Sequence, residues 1–425
     1  MRFALRPLPT LVLMAFPLPS NPVVRGMAVF YTTTFLSAAW SMIIPTIPVL
    51  AQYFGVTAGG AAQIVTVFAV GKFIGTIIGG VVIDRMGTRT ALVGGPLGGG
   101  IASLLAVGAP AFNVILLLAL VMGAADSLWA SAREVGVIDL ARHNQRGRML
   151  SSIHGTYNVG TAVFPLIGGS LTDLLSFRAV FISYGVSALL SVFLGFAGPN
   201  SVAVSLARGN PDRATRLGLQ RRLKSFVGLF KEIRPDLRST YLALVLATLV
   251  NQSQRIIIQS MLPLYAGYYL HLSPTQIGLL FSISGAVVFA MIIPAGFVMD
   301  RIGRKWCTVP STALPALAFV LIPITNNFTE LAILVGFAAI AQGLALGSVA
   351  TSTYDVVPAH VRGRLQAARR TVAELGSGLA PLLGGYLANT FNPGVPFLVY
   401  APLLVFSATL LAVVGKETLG QPGTR

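Results

Sequence analysis

The chain has 425 residues, of which 54% are hydrophobic and only 10% are charged. The core of a soluble protein of this length needs far fewer apolar side chains, so the composition excludes a soluble globular fold and predicts a protein embedded in lipid. The formal net charge is +17. Because most of the basic residues lie in particular loops, membrane orientation explains this charge better than nucleic-acid binding.

Apolar runs of about 20 residues, the length that crosses a bilayer core as an α-helix, recur along the whole sequence. Transmembrane β-strands would instead show alternating segments of about ten residues. We therefore predict an all-α membrane protein with twelve transmembrane helices, at residues 27–50, 60–83, 91–110, 112–136, 149–175, 178–197, 239–266, 274–298, 307–325, 329–352, 366–391 and 394–415.

The distribution of Lys and Arg predicts the orientation of these helices. Basic residues fall in alternate loops, and the intervening loops hold almost none beyond Arg178. The positive-inside rule then predicts that both termini are cytoplasmic, with residues 1–25 as an N-terminal segment and 416–425 as a tail. The first 25 residues also resemble a weak signal peptide, or an extension before Met27, but the apolar run is short and Pro-interrupted. Cys307 is the sole cysteine, which excludes a disulfide within the chain.

The sequence repeats itself. A shift of 216 positions places Asp84 on Asp300 and Arg85 on Arg301, and it places the segment that begins at Arg146 on the segment that begins at Arg362. The repeat predicts two six-helix bundles in parallel orientation, at 26–197 and 239–415, joined by a basic cytoplasmic linker at 198–238. Halves related in this way commonly rock about a site near the bilayer midplane.

Two loop motifs carry a resemblance to a known family. Gly80-x-x-x-Asp84-Arg85-x-Gly87-x-Arg89 resembles the signature between helices 2 and 3 of the major facilitator superfamily, and Gly296-x-x-x-Asp300-Arg301-x-Gly303-Arg304-Lys305 resembles its copy between helices 8 and 9. The likeness covers the chain from Met27 to about Gly415. It implies the major facilitator fold, with two pseudo-symmetric bundles, and secondary active transport by alternating access.

In that family the loop is associated with stabilising the outward-facing state, so the resemblance implies gate residues rather than substrate ligands. An Asp at a helix end beside arginines can pair with charges or helix ends of the opposite half. The alternative is pure topology, in which arginines hold the loop inside and a glycine forms the turn. The predicted gate residues are Gly80, Asp84, Arg85, Gly87, Arg89, Asp139, Arg146, Gly296, Asp300, Arg301, Gly303, Arg304, Lys305, Asp355 and Arg362.

A Gly- and Pro-containing pattern in helix 5 resembles the antiporter signature of the family's drug:proton branch, although Phe164 stands where a Gly is usual. Helix 11 repeats the pattern, so Pro kinks and close helix packing explain it at least as well. The residues are Gly160, Pro165, Gly168, Gly169, Gly376, Pro381, Gly384 and Gly385. Helix 4 departs from the family, with Gly123 where an Arg is normal and Asp126 where a Gln is usual.

Charged side chains within the spans are the main functional candidates, because each costs roughly 2.5 to 3.5 kcal/mol at a helix centre. We predict that Asp126 and Glu374 titrate protons, with Lys72 and Arg255 as counter-charges or anion-binding groups. Lys72 and Asp126 lie at similar depth. A fixed ion pair that only tightens helix packing is the alternative. Arg133 lies nearer a helix end, where snorkelling favours a structural or gating role.

Aromatic and amide side chains at comparable depth are candidates for a substrate cavity, although simple packing explains each of them as well. They are Trp40, Trp129, Tyr157, Asn158, Asn251, Gln252, Gln259 and Gln342. The sequence has no Gly-x-x-x-x-Gly-Lys-[Ser/Thr] motif for nucleotide, and its four His residues are scattered. We therefore expect no cofactor, no metal and no enzymatic activity.

These observations favour a monomeric secondary transporter of the inner or plasma membrane that exports small hydrophobic or amphipathic compounds in exchange for protons. Proton-coupled uptake or flipping of a lipid, sugar or organic anion is an alternative, in which Lys72 and Arg255 bind the negative group. A transport-inactive sensor or scaffold is a second alternative, against which the intact loop motifs in both halves argue. The expected partners are lipid, protons and a small molecule, without nucleic acid.

Overall fold

The computed structural model describes residues 22–140, 146–196, 230, 232–358 and 361–418. Within these ranges the chain is helical and forms no strand, which confirms the all-α prediction. Nine of the helices in the described ranges are long and apolar enough to cross a bilayer. Most of the predicted segments 1–25, 198–238 and 416–425 lies outside the described residues.

The first six helical segments follow the predicted spans closely. The first segment, α1, consists of an α-helix at Pro22–Ser37, a 3-10 helix at Ala38–Thr46 and an α-helix at Ile47–Phe54. Pro45 and Pro48 lack the backbone N–H that a continuous α-helix needs, which accounts for the change in winding. The others are α2 at Ala58–Met86, α3 at Thr88–Ala106, α4 at Phe112–Leu140, α5 at Arg146–Leu174 and α6 at Phe177–Phe196.

The second set of six contains more irregular backbone. Its members are α7 at Arg238–Leu264, α8 at Pro274–Arg301, α9 in two pieces at Lys305–Thr308 and Pro310–Leu321, α10 at Phe328–Val356, α11 at Arg362–Thr390 and α12 at Val395–Val413. The helix α7 continues as a π-helical turn, Tyr265–Tyr269. The predicted span 329–352 is interrupted, because Leu346 has ψ 109° and Gly347 has φ 83°.

The chain forms two compact units. One comprises residues up to Gly55 together with Ile64–Gly209, and the other comprises Val56–Gln63 together with the residues from Asn210 onward. The first turns of α2 belong to the second unit. There the backbone N–H of Gly59 donates to Asn389 Oδ1 at 2.8 Å.

Glycines of the predicted kink motifs bring helices into close contact within each unit. In the first unit a Cβ on Gly160 would lie 2.5 Å from Ala38 Cβ, and one on Gly168 would overlap the backbone of Met42. In the second unit a Cβ on Gly376 would lie 2.5 Å from Ser253 Oγ. Small residues therefore pack α5 on α1 and α11 on α7, as is common where helices associate in lipid.

Each unit also has its own apolar core. In the first unit Phe30, Leu92 and Trp129 belong to one buried cluster. In the second unit Tyr241, Leu365 and Leu411 belong to another, in which the hydroxyl of Tyr241 donates to the carbonyl oxygen of Leu365 at 3.0 Å. These clusters fix the helices that carry the polar groups described below.

Candidate functional site

The helices α2 and α4 approach each other closely because three glycines line their contact. A Cβ on Gly71 would overlap the carbonyl oxygen of Leu120, and one on Gly123 would overlap that of Phe68. Gly75 meets the backbone of Ala124 in the same way. Gly123, which stands where the family normally has an Arg, thus has a steric reason, since an Arg at this position cannot coexist with the observed helix spacing.

This close approach joins two of the predicted charges. Lys72 Nζ lies 2.9 Å from Asp126 Oδ2, and the side chain of Asp126 is 2% exposed whereas that of Lys72 is 40% exposed. One turn further on, Thr76 Oγ1 and Ser127 Oγ share a hydrogen bond of 2.7 Å. The second carboxylate oxygen of Asp126 is buried without a hydrogen-bond partner among the described residues. The pair therefore leaves the carboxylate only half satisfied.

A second cation lies two turns along α4 from this carboxylate. This cation, Arg133, does not snorkel to the helix end, because its side chain is only 4% exposed. Its guanidinium carbon lies 4.8 Å from the ring centre of Trp129, and its Nη1 donates to the carbonyl oxygen of Thr33 at 3.1 Å. Its planar guanidinium is satisfied by an aromatic face and a backbone oxygen, which makes burial tolerable.

Two predicted cavity aromatics extend from the ion pair. Lys72 Nζ lies 5.8 Å from the ring centre of Phe68, and Phe68 stacks on Trp40 with ring centres 4.4 Å apart. The indole N–H of Trp40 donates to Tyr157 Oη at 2.8 Å. Trp129 is instead 1% exposed within the apolar core, so its position is that of a packing residue.

The second unit contains a polar cavity of about 200 Å³. Four predicted residues line it, namely Asn251, Gln252, Arg255 and Gln342. Sequence reasoning did not single out Arg369, which lies near the start of the predicted span 366–391. The structure buries Arg369 to 8% exposure, and its Nη1 donates to Thr248 Oγ1 at 2.9 Å while its Nε donates to Gln366 Oε1 at 2.9 Å.

The remaining predicted membrane residues are not gathered into either site. Glu374 is exposed on α11 and has no hydrogen-bond or ion-pair partner within the described ranges. The side chain of Arg370, one turn earlier, lies outside the described residues. Asn158 and Gln259 are half-buried and do not line the cavity of the second unit.

The predicted gate motif of the second unit is held together by carboxylates. Arg304 Nε lies 2.6 Å from Asp355 Oδ2, and both side chains are 16% exposed. The carboxylate of Glu417 accepts hydrogen bonds from the backbone N–H groups of Arg304 at 2.9 Å and Lys305 at 3.1 Å. Sequence reasoning did not predict this role for Glu417, because the residue follows the last helix and belongs to no recognisable motif. Gly303, with φ 149°, completes the turn, and Arg301 lies over the ring of Phe297.

In the corresponding motif of the first unit, the residues that the structure describes form no matching pair of an arginine with an aspartate. Thr88 occupies the position that matches Arg304, and Asp139, which matches Asp355, has no hydrogen bond or ion pair in the described part of the chain. Asp84 and Arg85 are exposed. Arg89 donates to the carbonyl oxygen of Phe196. The side chains of Arg146 and Arg362 lie outside the described residues, and Gly80 and Gly296 have open space around the position of a Cβ.

Comparison with known proteins decides the family. The model of the Major Facilitator Superfamily matches the chain twice, at residues 29–243 and 244–424. The chain belongs to the Major Facilitator Superfamily. It is therefore a membrane transporter of small molecules, and the fold prediction is confirmed.

The superfamily relatives align along nearly their full lengths. Multidrug resistance protein MdtG of Enterobacter lignolyticus (strain SCF1) is 23% identical over 406 residues, which cover 93% of this chain and 93% of that protein. The uncharacterized MFS-type transporter MJ1560 of Methanocaldococcus jannaschii is 21% identical over 394 residues, covering 92% and 96%.

Solved structures of superfamily members share the fold at lower identity. A D-xylose-proton symporter has a TM-score of 0.73 at 16% identity and covers 94% of this chain and 100% of that chain. A POT family transporter in complex with 5-aminolevulinic acid has a TM-score of 0.75 at 13% identity and covers 92% of this chain and 96% of that chain.

Within the described ranges, no group of three or more His, Cys, Asp or Glu side chains is arranged to hold a metal ion.

Proposed function

We propose that this transporter exports small hydrophobic or amphipathic compounds in exchange for protons, and that Asp126 is the group that takes up and releases the proton. One observation carries the proposal. Asp126 is 2% exposed in the middle of α4, and its only observed ion-pair partner in the described ranges is Lys72, at 2.9 Å on α2. The similarity to multidrug resistance proteins named MdtG supports the drug-export part of the proposal.

The chemistry of the pair explains how a proton could be coupled to a change in structure. A buried carboxylate is stable as an anion only while a cation lies beside it, and it favours the neutral form when that cation moves away. Lys72 is 40% exposed, so the protein does not enclose its long side chain and leaves it room to move away from the carboxylate. Loss of the contact favours protonation of Asp126, and its return favours release of the proton.

Asp126→Asn tests the coupling directly, because it preserves the shape of the side chain and removes the charge. Purified protein in weakly buffered detergent should release protons when a compound that raises its melting temperature is added. We expect this release to disappear in Asp126→Asn. Asp236→Asn is the matched control, since Asp236 is a partly exposed member of a surface pair with Arg234. Equal proton release from all three proteins would refute the role of Asp126.

The same reasoning extends to topology and gating, as further parts of the proposal. Location in the inner membrane with cytoplasmic termini is supported by the alternation of basic loops. A monomer is the simplest assembly, since each chain carries both repeats. The Arg304–Asp355 pair supports a gate that holds the loop between α8 and α9 in place. Glu374 stays a second candidate for proton coupling.

An organic anion as the carried compound is a second candidate, because one observation favours it. Two arginines line the polar cavity of the second unit. A charge inside a span is costly, and a bound anion would offset that cost. Transport of radiolabelled compound by proteoliposomes under an imposed pH gradient separates export from uptake. A sensor or scaffold role predicts no transport in either direction.

A further inference from the structure

The cavity of about 200 Å³ in the second unit is strongly biased toward positive charge. Arg255 and Arg369 both line it, and no Asp or Glu is among the lining residues of the described chain. Arg255 has no hydrogen bond or ion pair to any described residue. Each guanidinium within a span costs roughly 2.5 to 3.5 kcal/mol on insertion scales unless a partner compensates it. The guanidinium of Arg255 is therefore a charge that no described residue balances by a hydrogen bond or an ion pair.

Amide side chains of the cavity add donors that are only partly used. Gln254 lines the cavity, is 5% exposed and has no hydrogen-bond partner within the described ranges. Its amide group is therefore available to a molecule bound in the cavity. Gln252 Nε2 donates to Ser377 Oγ at 3.0 Å, whereas Asn251 Nδ2 has only a long contact of 3.4 Å to Ser311 Oγ.

Part of the cavity wall is formed where the helix α10 is interrupted. Leu346 and Gly347 have non-helical backbone angles, and a second helical segment begins at Ser348. Gly347, Val349 and Ala350 line the cavity. The first turn of a helix presents N–H groups that have no partner in a preceding turn, and these groups favour anions. Discontinuous helices in transporters use this arrangement to hold anionic groups.

We propose that this cavity binds the carboxylate, sulfonate or phosphonate group of an amphipathic organic anion, with Arg255 as the principal contact and Arg369 as a fixed second charge. The inference rests on the proposed function in one respect, since the bound anion is taken to be the compound that is carried. The planar guanidinium of Arg255 offers two parallel donors to such a group. The hydrogen bonds from Arg369 to Thr248 and Gln366 hold its guanidinium in place.

Binding to the purified full chain in detergent tests the inference without a transport assay. Benzoate and benzenesulfonate serve as anionic probes and benzamide as the neutral isostere, at constant pH and ionic strength. We expect the two anions, but not benzamide, to bind in titration calorimetry and to raise the melting temperature. Arg255→Gln should weaken the binding of benzoate by about tenfold or more, since a charged hydrogen bond is lost.

Two further variants control for folding and for charge in general. Arg255→Lys keeps the charge and should retain part of the affinity while binding less tightly than the wild type. Arg178→Gln makes the same chemical change as Arg255→Gln at an exposed residue of the first unit and should bind benzoate as the wild type does. If Arg255→Gln unfolds at a much lower temperature than the wild type, its affinity for benzoate does not test the site. The test is then the affinity of Arg255→Lys, which should be weaker than that of Arg178→Gln.

The outcomes separate this inference from the proposed proton coupling. Unchanged benzoate affinity in both Arg255 variants, or equal affinity for benzoate and benzamide, overturns the anion site even where Asp126→Asn abolishes proton release. Conversely, benzoate binding that depends on Arg255 supports the anion site even in a protein that releases no protons. Asp126→Asn should bind benzoate normally, because Asp126 lies in the other unit.

Discussion

The Lys72–Asp126 pair makes a prediction about stability that depends on which partner is removed. Lys72→Gln leaves a carboxylate that is 2% exposed without its counter-charge. Removing one partner of a buried pair costs about 3 to 5 kcal/mol. Asp126→Asn leaves an ammonium group whose side chain is 40% exposed. Because the protein does not enclose that side chain, it can move toward a polar environment, so we expect a smaller loss of about 1 kcal/mol.

The assay is thermal unfolding of the purified protein in one detergent, followed by tryptophan fluorescence. The expected order of melting temperatures is wild type, then Asp126→Asn, then Lys72→Gln, with the double variant close to Asp126→Asn because both charges are gone. A Lys72→Gln protein at least as stable as Asp126→Asn would refute the reasoning.

Three further predictions concern backbone contacts, and each is checked by the same melting assay. Gly168→Ala should destabilise the protein by about 1 to 3 kcal/mol, because the new methyl group overlaps the backbone of Met42. Gly155→Ala on the same helix has open space and should be neutral or stabilising. Similar melting temperatures for the two variants would contradict the packing argument. Gly347→Ala should cost about 1 kcal/mol and weaken benzoate binding, because its φ of 83° is unfavourable for Ala, while Gly336→Ala in regular helix with open space should not. Glu417→Gln should cost about 1 kcal/mol and speed trypsin cleavage at the loop between α8 and α9, because the backbone N–H groups of Arg304 and Lys305 lose a charged acceptor. An unchanged cleavage rate would argue that Glu417 does not hold this loop.

Much of the fold could be predicted from the sequence, because lipid permits few backbone arrangements. A helix that spans the bilayer must satisfy its own hydrogen bonds, so long apolar runs specify helices directly. The 216-residue repeat then indicated two similar sets of six. The breaks in α1 and α9 occur beside Pro45 and Pro310, whereas the break at Gly347 falls among small residues that give no such signal.

The candidate site could be predicted in part. Lys72 and Asp126 lie at equal distances from their helix ends, which correctly predicted a similar depth in the membrane. Depth does not reveal which helices face each other, and the glycine contacts between α2 and α4 determine that. Arg369 was missed because the positive-inside rule already explains an arginine near a loop, so its burial had no separate signature. The burial of Arg133 could not be predicted, because its stacking on Trp129 depends on side-chain geometry that spacing does not reveal.

The contact between Glu417 and the loop that begins α9 has a practical consequence for engineering the protein. Residues 415–418 run past the last helix, and Thr418 Oγ1 also donates to Asp355 Oδ2 at 3.2 Å. A shortened version that stops at the end of α12 would remove both the acceptor for Arg304 and Lys305 and this hydroxyl. Purification tags and fusion partners should therefore be attached beyond Thr418, so that these two residues keep their places.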